Sequence, residues 1–166
     1  MERLPSFKTC YFCGNDNPRG FGIAYFYDPD RDRVAGEVTP DAAFCGYPGI
    51  LHGGIQSALL DDVMYWAVSY RAATSSVTLE LTTRFLQAAR LGERFALYAQ
   101  VEAVDGRKVR AAGVLQNASG DPVARGVGLY LLHPREVFLR DMLPYFDFEG
   151  CSEVVCARYR QGNASP

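Results

Sequence analysis

Several things are scarce in this chain, and each scarcity closes off a class of function. Lysine occurs only twice, at Lys8 and Lys108, and lysine and arginine together number 17 against 19 acids. The net charge is −2 and the arginines are scattered, so the chain lacks the basic patch or stripe of a nucleic-acid binder. No block of like charge marks a solvated tail. Long apolar runs are missing too. The most apolar stretch, 49–68, is interrupted by His52, Gln56, Asp61 and Asp62, whereas a membrane span needs about 18 or more apolar residues. Met1 to Phe7 lacks the charged-then-apolar pattern of a secretory signal. The five cysteines are an odd number, which fits a reducing compartment better than a disulfide framework. A cytoplasmic location without membrane partners is the resulting expectation, and it gives the Asn-x-Ser sequons at Asn117 and Asn163 no role. Internal repeats and low-complexity segments are absent from the pattern.

What the chain does have is the material for one domain. Its 166 residues are 48% apolar and 22% charged, near the average of globular proteins. A chain of this size buries about 70% of its unfolded surface, so neither disulfides nor a metal is needed for folding. Residues 1–20 are dense in turn formers and read as a loop segment holding Cys10-x-x-Cys13. Two strand-like runs follow, Phe21 to Tyr27 and Arg33 to Thr39, separated by an Asp28-Pro29-Asp30 turn. Residues 40–51 are irregular. From Gly53 to about Arg71 no proline interrupts, and Ile55, Leu59, Val63 and Trp66 recur at helical spacing, as do Ala58, Leu60, Met64 and Ala67. This predicts a helix apolar around most of its circumference, which must be wrapped by other elements.

The second half of the chain supplies the wrapping. Ser75 to Gln87, Arg94 to Val104, Lys108 to Gln116 and Val123 to Leu132 are strand-like, and Asp105-Gly106 marks a hairpin. Pro134 can open a short helix to about Leu143, with 144–166 irregular. The organisation expected is α+β: residues 21–132 as an antiparallel sheet of about six strands around one central helix, and 133–166 as a C-terminal extension.

One motif carries chemistry. Two consecutive glycines, Gly53 and Gly54, open the apolar helix just after His52. A helix N-terminus has unpaired N–H groups and partial positive charge, and glycine lets another atom approach the backbone closely. Such a place can hold an oxyanion or a polarised carbonyl oxygen. Two turns on lies Asp61, a carboxylate in an otherwise core-like helix, costly there unless paired, solvated or used. Asp62, about 100° further round, is its rival.

The frame His52-Gly53-Gly54, six residues, then Asp61 resembles the PaaI-like hotdog-fold acyl-CoA thioesterases. The segment Cys10 to Gly20 and the long strand from Leu79 to Gly92 are similar to parts of the same family, and the likeness spans roughly residues 10–132. It implies hydrolysis of acyl-CoA to free acid and CoA without a cofactor or metal. By that resemblance the Gly53 N–H polarises the thioester carbonyl, Asp61 is general base or nucleophile, His52 shapes the turn and contacts the substrate, and Thr78 orients the water or the carboxylate, the four together being the expected catalytic residues. Gly54, Tyr47, Tyr65, Trp66 and Arg84 are the expected substrate contacts; Arg90 and Arg125 could also meet CoA phosphates. Some relatives carry a polar side chain near the position of Gly46, which has none. Gly53 and Asp61 stand about 12 Å apart along one helix, too far to serve one carbonyl. The site is therefore expected between two subunits of a homodimer, which could pair into a dimer of dimers. A non-catalytic acyl-CoA binding or sensing protein and a hotdog enoyl-CoA hydratase or dehydratase remain alternatives. Cys10-x-x-Cys13-Gly14 resembles half of a zinc knuckle, with Cys151 and Cys156 as a poorly spaced second half; a plain structural turn is the expected reading. Cys45, in the loop before the motif, could line the pocket.

Overall fold

A computed structural model describes residues 1–162. The sequon at Asn163 lies outside the described residues. In chain order the strands are β1 (Glu2–Arg3), β2 (Ser6–Phe7), β3 (Phe26–Asp28), β4 (Arg33–Val38), β5 (Ser76–Phe85), β6 (Phe95–Asp105), β7 (Lys108–Gln116), β8 (Pro122–Leu132) and β9 (Phe146–Asp147). The central helix α1 spans Gly53–Ala72. Helix α2 (Arg135–Val137) runs on through a π turn at Phe138–Met142, and α3 covers Glu153–Gln161.

The sheet is antiparallel, in the order β1-β3-β4-β6-β7-β8-β5. Six of its strands are those expected, and the two-residue β1 extends one edge. Leu59, Leu60, Val63, Met64, Trp66 and Val68 of α1 are fully buried, as an all-round apolar helix requires. The helix can lie this close because β7 and β8 offer glycines beneath it. A Cβ on Gly113 would come 3.0 Å from Met64, and one on Gly126 would come 3.2 Å from the same side chain.

Two expectations are corrected. The run from Phe21 becomes a ladder only at Phe26–Asp28. Upstream the backbone is held by the N-terminal segment instead, through Phe21 N–H to Tyr11 O and Ile23 N–H to Phe12 O. Within 144–162 the chain is not all irregular, since it holds α3. Helix α3 starts at Ser152, whose hydroxyl accepts from the Val155 N–H at 3.3 Å, a normal N-cap. It docks by burying Val155 and Tyr159, and its Arg158 donates to Tyr70 O at 2.6 Å. Arg135 donates to Ala73 O. These arginines satisfy carbonyls left orphaned at the C-terminus of α1 and complement its negative end. The two ends of the chain also meet, with β2 pairing to β9 and the Phe7 and Phe146 rings 4.6 Å apart.

Candidate active site

Helix α1 begins with His52 as its N-cap. Its imidazole Nδ1 accepts from the Gly54 N–H at 2.9 Å, and its backbone N–H donates to Phe44 O at 2.9 Å. The ring therefore fixes the turn, and with Nδ1 as acceptor its proton sits on Nε2. The Gly54 N–H is thereby engaged within the turn. The Gly53 N–H, next to it at the start of the helix, has no acceptor among the described residues, so it is the amide left for an incoming oxygen. Gly46 packs on this turn. A Cβ there would lie 3.2 Å from the His52 Cα, so a polar side chain at that position would crowd the cap.

Two turns along α1, Asp61 is held by hydroxyls. Thr78 Oγ1 donates to Asp61 Oδ1 at 2.9 Å, and Tyr130 Oη donates to the same oxygen at 3.0 Å. Thr78 and Tyr130 are direct cross-strand partners on β5 and β8, and the ladder bulges immediately after Thr78. Bulges near active sites re-aim side chains in this way. The Tyr130 ring is buried. Burial, then the charge of Asp61, pushes its phenol well above its ordinary range, so it stays a proton donor. Asp61 Oδ2 accepts nothing from the described residues. The carboxylate is oriented through one oxygen and open at the other.

Sequence reasoning missed Tyr130. Its only signal was the strand it sits on, because nothing local ties it to a residue 69 positions away. Gly128 makes room for it. A Cβ on Gly128 would come 2.5 Å from the Tyr130 ring.

Asp62, the rival carboxylate, points elsewhere. Its Oδ1 lies 3.8 Å from Cys10 Sγ, and its Oδ2 is buried without a hydrogen-bond partner. Burial, then the neighbouring Cys10, pushes its carboxyl well above the usual range. It does not share the Thr78–Tyr130 setting.

The remaining candidates scatter. Trp66 is 0% exposed and packs against Phe7 and Phe146. Tyr65 packs against Phe7, and its hydroxyl is buried. Phe7 and Phe146, from the N-terminal and C-terminal segments, thus pack on this side of α1. Tyr47 is 80% exposed in the loop before the helix. Arg84 and Arg125 face each other across β5 and β8, both exposed, and Arg90 is also exposed. A groove of about 800 Å³ does open beside the helix start, lined by Tyr11, Arg19, Phe44, Cys45, His52 and Ile55 among others. Among the described residues, no helix is long and apolar enough to cross a membrane.

Comparison with known proteins agrees with this architecture. A family model described as the thioesterase superfamily matches residues 48–124, from the loop before α1 into β8. The mouse acyl-coenzyme A thioesterase THEM5 is 27% identical over 114 residues, 68% of this chain and 46% of that protein. The chain spans about half the length of the curated relatives it matches. Among solved structures, the thioesterase superfamily protein RHA08564 is 28% identical with a TM-score of 0.69, covering 75% of this chain and 63% of that one. The Escherichia coli PaaI protein from the phenylacetic acid degradation operon shares the fold at 20% identity and a TM-score of 0.62, covering 69% of this chain and 81% of PaaI. With a seven-stranded antiparallel sheet around α1 and the glycine turn at its start, the chain has the hotdog fold, and over residues 48–124 it is similar to the thioesterase superfamily.

Proposed function

We propose that this protein hydrolyses acyl-CoA thioesters at two equivalent sites between the subunits of a homodimer. The observation that carries the reading is the state of Asp61. One of its oxygens is fixed by two hydroxyl donors and the other is free, on the same helix whose first amide, Gly53 N–H, is unpaired. The name of the mouse relative, an acyl-coenzyme A thioesterase, supports the choice of substrate.

β5 supports the dimer. This strand closes the sheet order and, among the described residues, pairs only with β8, and it leaves Val77, Leu79, Leu81 and Phe85 exposed. A long apolar edge of this kind is a template for another strand. Its two ends meet different parts of the site. Thr78 touches Asp61, while a Cβ on Gly53 would lie 3.3 Å from the Phe85 ring. Antiparallel pairing of β5 with its two-fold copy lays the Asp61 end of one subunit beside the Gly53 end of the other. That arrangement removes the separation of about 12 Å that one helix imposes.

In the reaction, the Gly53 N–H of one subunit donates to the thioester oxygen and stabilises the negative charge that develops on it. Asp61 Oδ2 of the other takes a proton from water as the water oxygen attacks the carbonyl carbon. Collapse of the tetrahedral adduct breaks the C–S bond, and the CoA thiolate leaves and is protonated. Tyr11, Phe44 and Ile55 offer apolar surface in the groove beside the helix start, with Arg19 in the same wall as a cation for a phosphate; exposed Arg84 is the cation that β5 itself provides.

The test is a panel of acyl-CoAs with release of free thiol as the readout, run on the wild type and Asp61→Asn. Turnover by the wild type that the variant lacks supports the reading. No turnover of any acyl-CoA, with calorimetry showing tight binding, would instead mark a binding protein, and hydration of an enoyl-CoA would mark a hydratase. A single turnover in ¹⁸O-water separates base from nucleophile, since label entering the Asp61 peptide would show attack by the carboxylate itself. Leu81→Lys, which puts a charge on the β5 edge, is expected to shift the protein toward monomer by light scattering and to lower turnover with it.

A further inference from the structure

Cys10 and Cys13 have a third donor group beside them. Their sulfurs and the carboxylate of Asp62 converge so that one donor atom from each lies within 4.8 Å of the other two. Cys10 Sγ and Asp62 Oδ1 are 3.8 Å apart. A tetrahedral zinc ion with Zn–S distances of about 2.3 Å sets its ligand atoms about 3.8 Å from one another. Cys10 and Asp62 are thus already at that spacing, and the Cys13 donor lies within 4.8 Å of both. Cys151 and Cys156, the sequence's other pair, are not part of the group; the third ligand comes from α1.

The surroundings are built for the same purpose. The Phe12 N–H donates to Cys10 Sγ at 3.3 Å, and Gly14 N–H returns to Cys10 O at 3.1 Å. A Cβ on Gly14 would come 2.6 Å from the backbone of Cys10 and Lys8, so only glycine lets the chain fold back this tightly. Cys13 is 2% exposed. The fully buried Tyr25 phenol interacts with the Asp62 carboxyl, yet neither its oxygen nor the shielded Asp62 Oδ2 completes a hydrogen bond of normal geometry. A buried carboxylate oxygen without a donor is costly, and a bound cation would meet that need. Thiolate ligands select zinc over magnesium or calcium.

We propose that Cys10, Cys13 and Asp62 bind a zinc-class divalent cation, with the fourth position left to a water molecule. Binding releases the two thiol protons to solvent and leaves the sulfurs as thiolates. The ion would pin the N-terminal segment to α1 at the residue after Asp61. The site stands apart from the Thr78–Tyr130 setting, and its test does not depend on turnover.

The full chain, produced with zinc in the medium and purified under reducing conditions without chelator, is expected to hold about one zinc per chain by elemental analysis. Chelation should lower Tm and added zinc should restore it. Replacing zinc with cobalt(II) should give the near-ultraviolet sulfur-to-cobalt charge-transfer band and the visible bands of a tetrahedral thiolate site. Cys13→Ser should lose the charge-transfer intensity of one sulfur, and Cys45→Ser should keep it all. Asp62→Asn, which retains both sulfurs, should keep the band and weaken cobalt binding by at least about tenfold, the scale at which even outer-shell changes act. Three results would overturn the proposal: metal-free wild type that fails to take up cobalt while its thiols titrate as free, a Cys10–Cys13 disulfide as the native state by mass spectrometry, or cobalt bands that survive intact in Cys13→Ser. The wild-type measurements keep the outcome decisive should a variant fail to fold.

Discussion

Asp61 and Asp62 are neighbours on one helix, yet the two flanks of α1 they face treat a carboxylate in opposite ways. On the Asp61 flank, two hydroxyls from adjacent strands satisfy one oxygen and leave the other accessible. On the Asp62 flank, two sulfurs and a buried phenol surround the group, and one oxygen has no donor. The first arrangement orients a charge and keeps it available. The second buries the carboxyl and pushes it toward its neutral form. A step of about 100° around the helix is enough to separate a group suited to proton transfer from one suited to ligation.

The largest expected effect breaks the first flank outright. Asp61→Asn keeps the shape and both hydroxyl contacts but removes the base, and turnover should fall by about 10²–10⁴-fold. Asp62→Asn should show itself chiefly in metal content and Tm. If the two variants lost activity equally while Asp62→Asn kept its fold, the division between the flanks would be wrong.

Next comes Tyr130→Phe. A hydrogen bond to a charged group is worth about 1.5–3 kcal/mol, which corresponds to a drop in kcat of roughly 10–100-fold. The loss should appear in kcat more than in KM, because the phenol orients Asp61 and does not reach for substrate. Gly128→Ala should act through the same contact, since its Cβ would enter the space of the Tyr130 ring. A somewhat smaller loss is expected, about tenfold, and in a double variant with Tyr130→Phe the two effects should not add. Additivity would mean that Gly128 matters for some other reason.

How far the sequence carried the argument depended on range. The helix and its wrapper were legible because apolar periodicity is local, and so was the pairing of the glycine turn with Asp61. Thr78 was reached through family resemblance. Tyr130 was out of reach because its link to Asp61 needs the β5–β8 register, including the bulge after Thr78. Tyr65 and Trp66 were placed in a pocket wall because they flank the motif in sequence. The structure puts the chain ends over them, a tertiary fact with no local sign. The same distance in sequence hid the third partner of Cys10 and Cys13, since Asp62 lies 52 residues beyond Cys10.

The smallest effect expected is the most discriminating for the Asp61 flank. Thr78 and Tyr130 donate to the same oxygen, but Thr78 is exposed and Tyr130 is buried. Thr78→Val deletes the hydroxyl at nearly constant shape. Water can reach the vacated place and donate in its stead, so the net loss should be near that of an ordinary hydrogen bond, about 1 kcal/mol or roughly fivefold in kcat. Tyr130→Phe has no such replacement. Steady-state kinetics of both variants on one acyl-CoA checks the ordering. A Thr78→Val loss as large as that of Tyr130→Phe would mean that Thr78 is shielded from water in the working enzyme. That is what pairing of the β5 edge with a second copy would produce, so the size of this effect reports on the dimer as well as on the carboxylate.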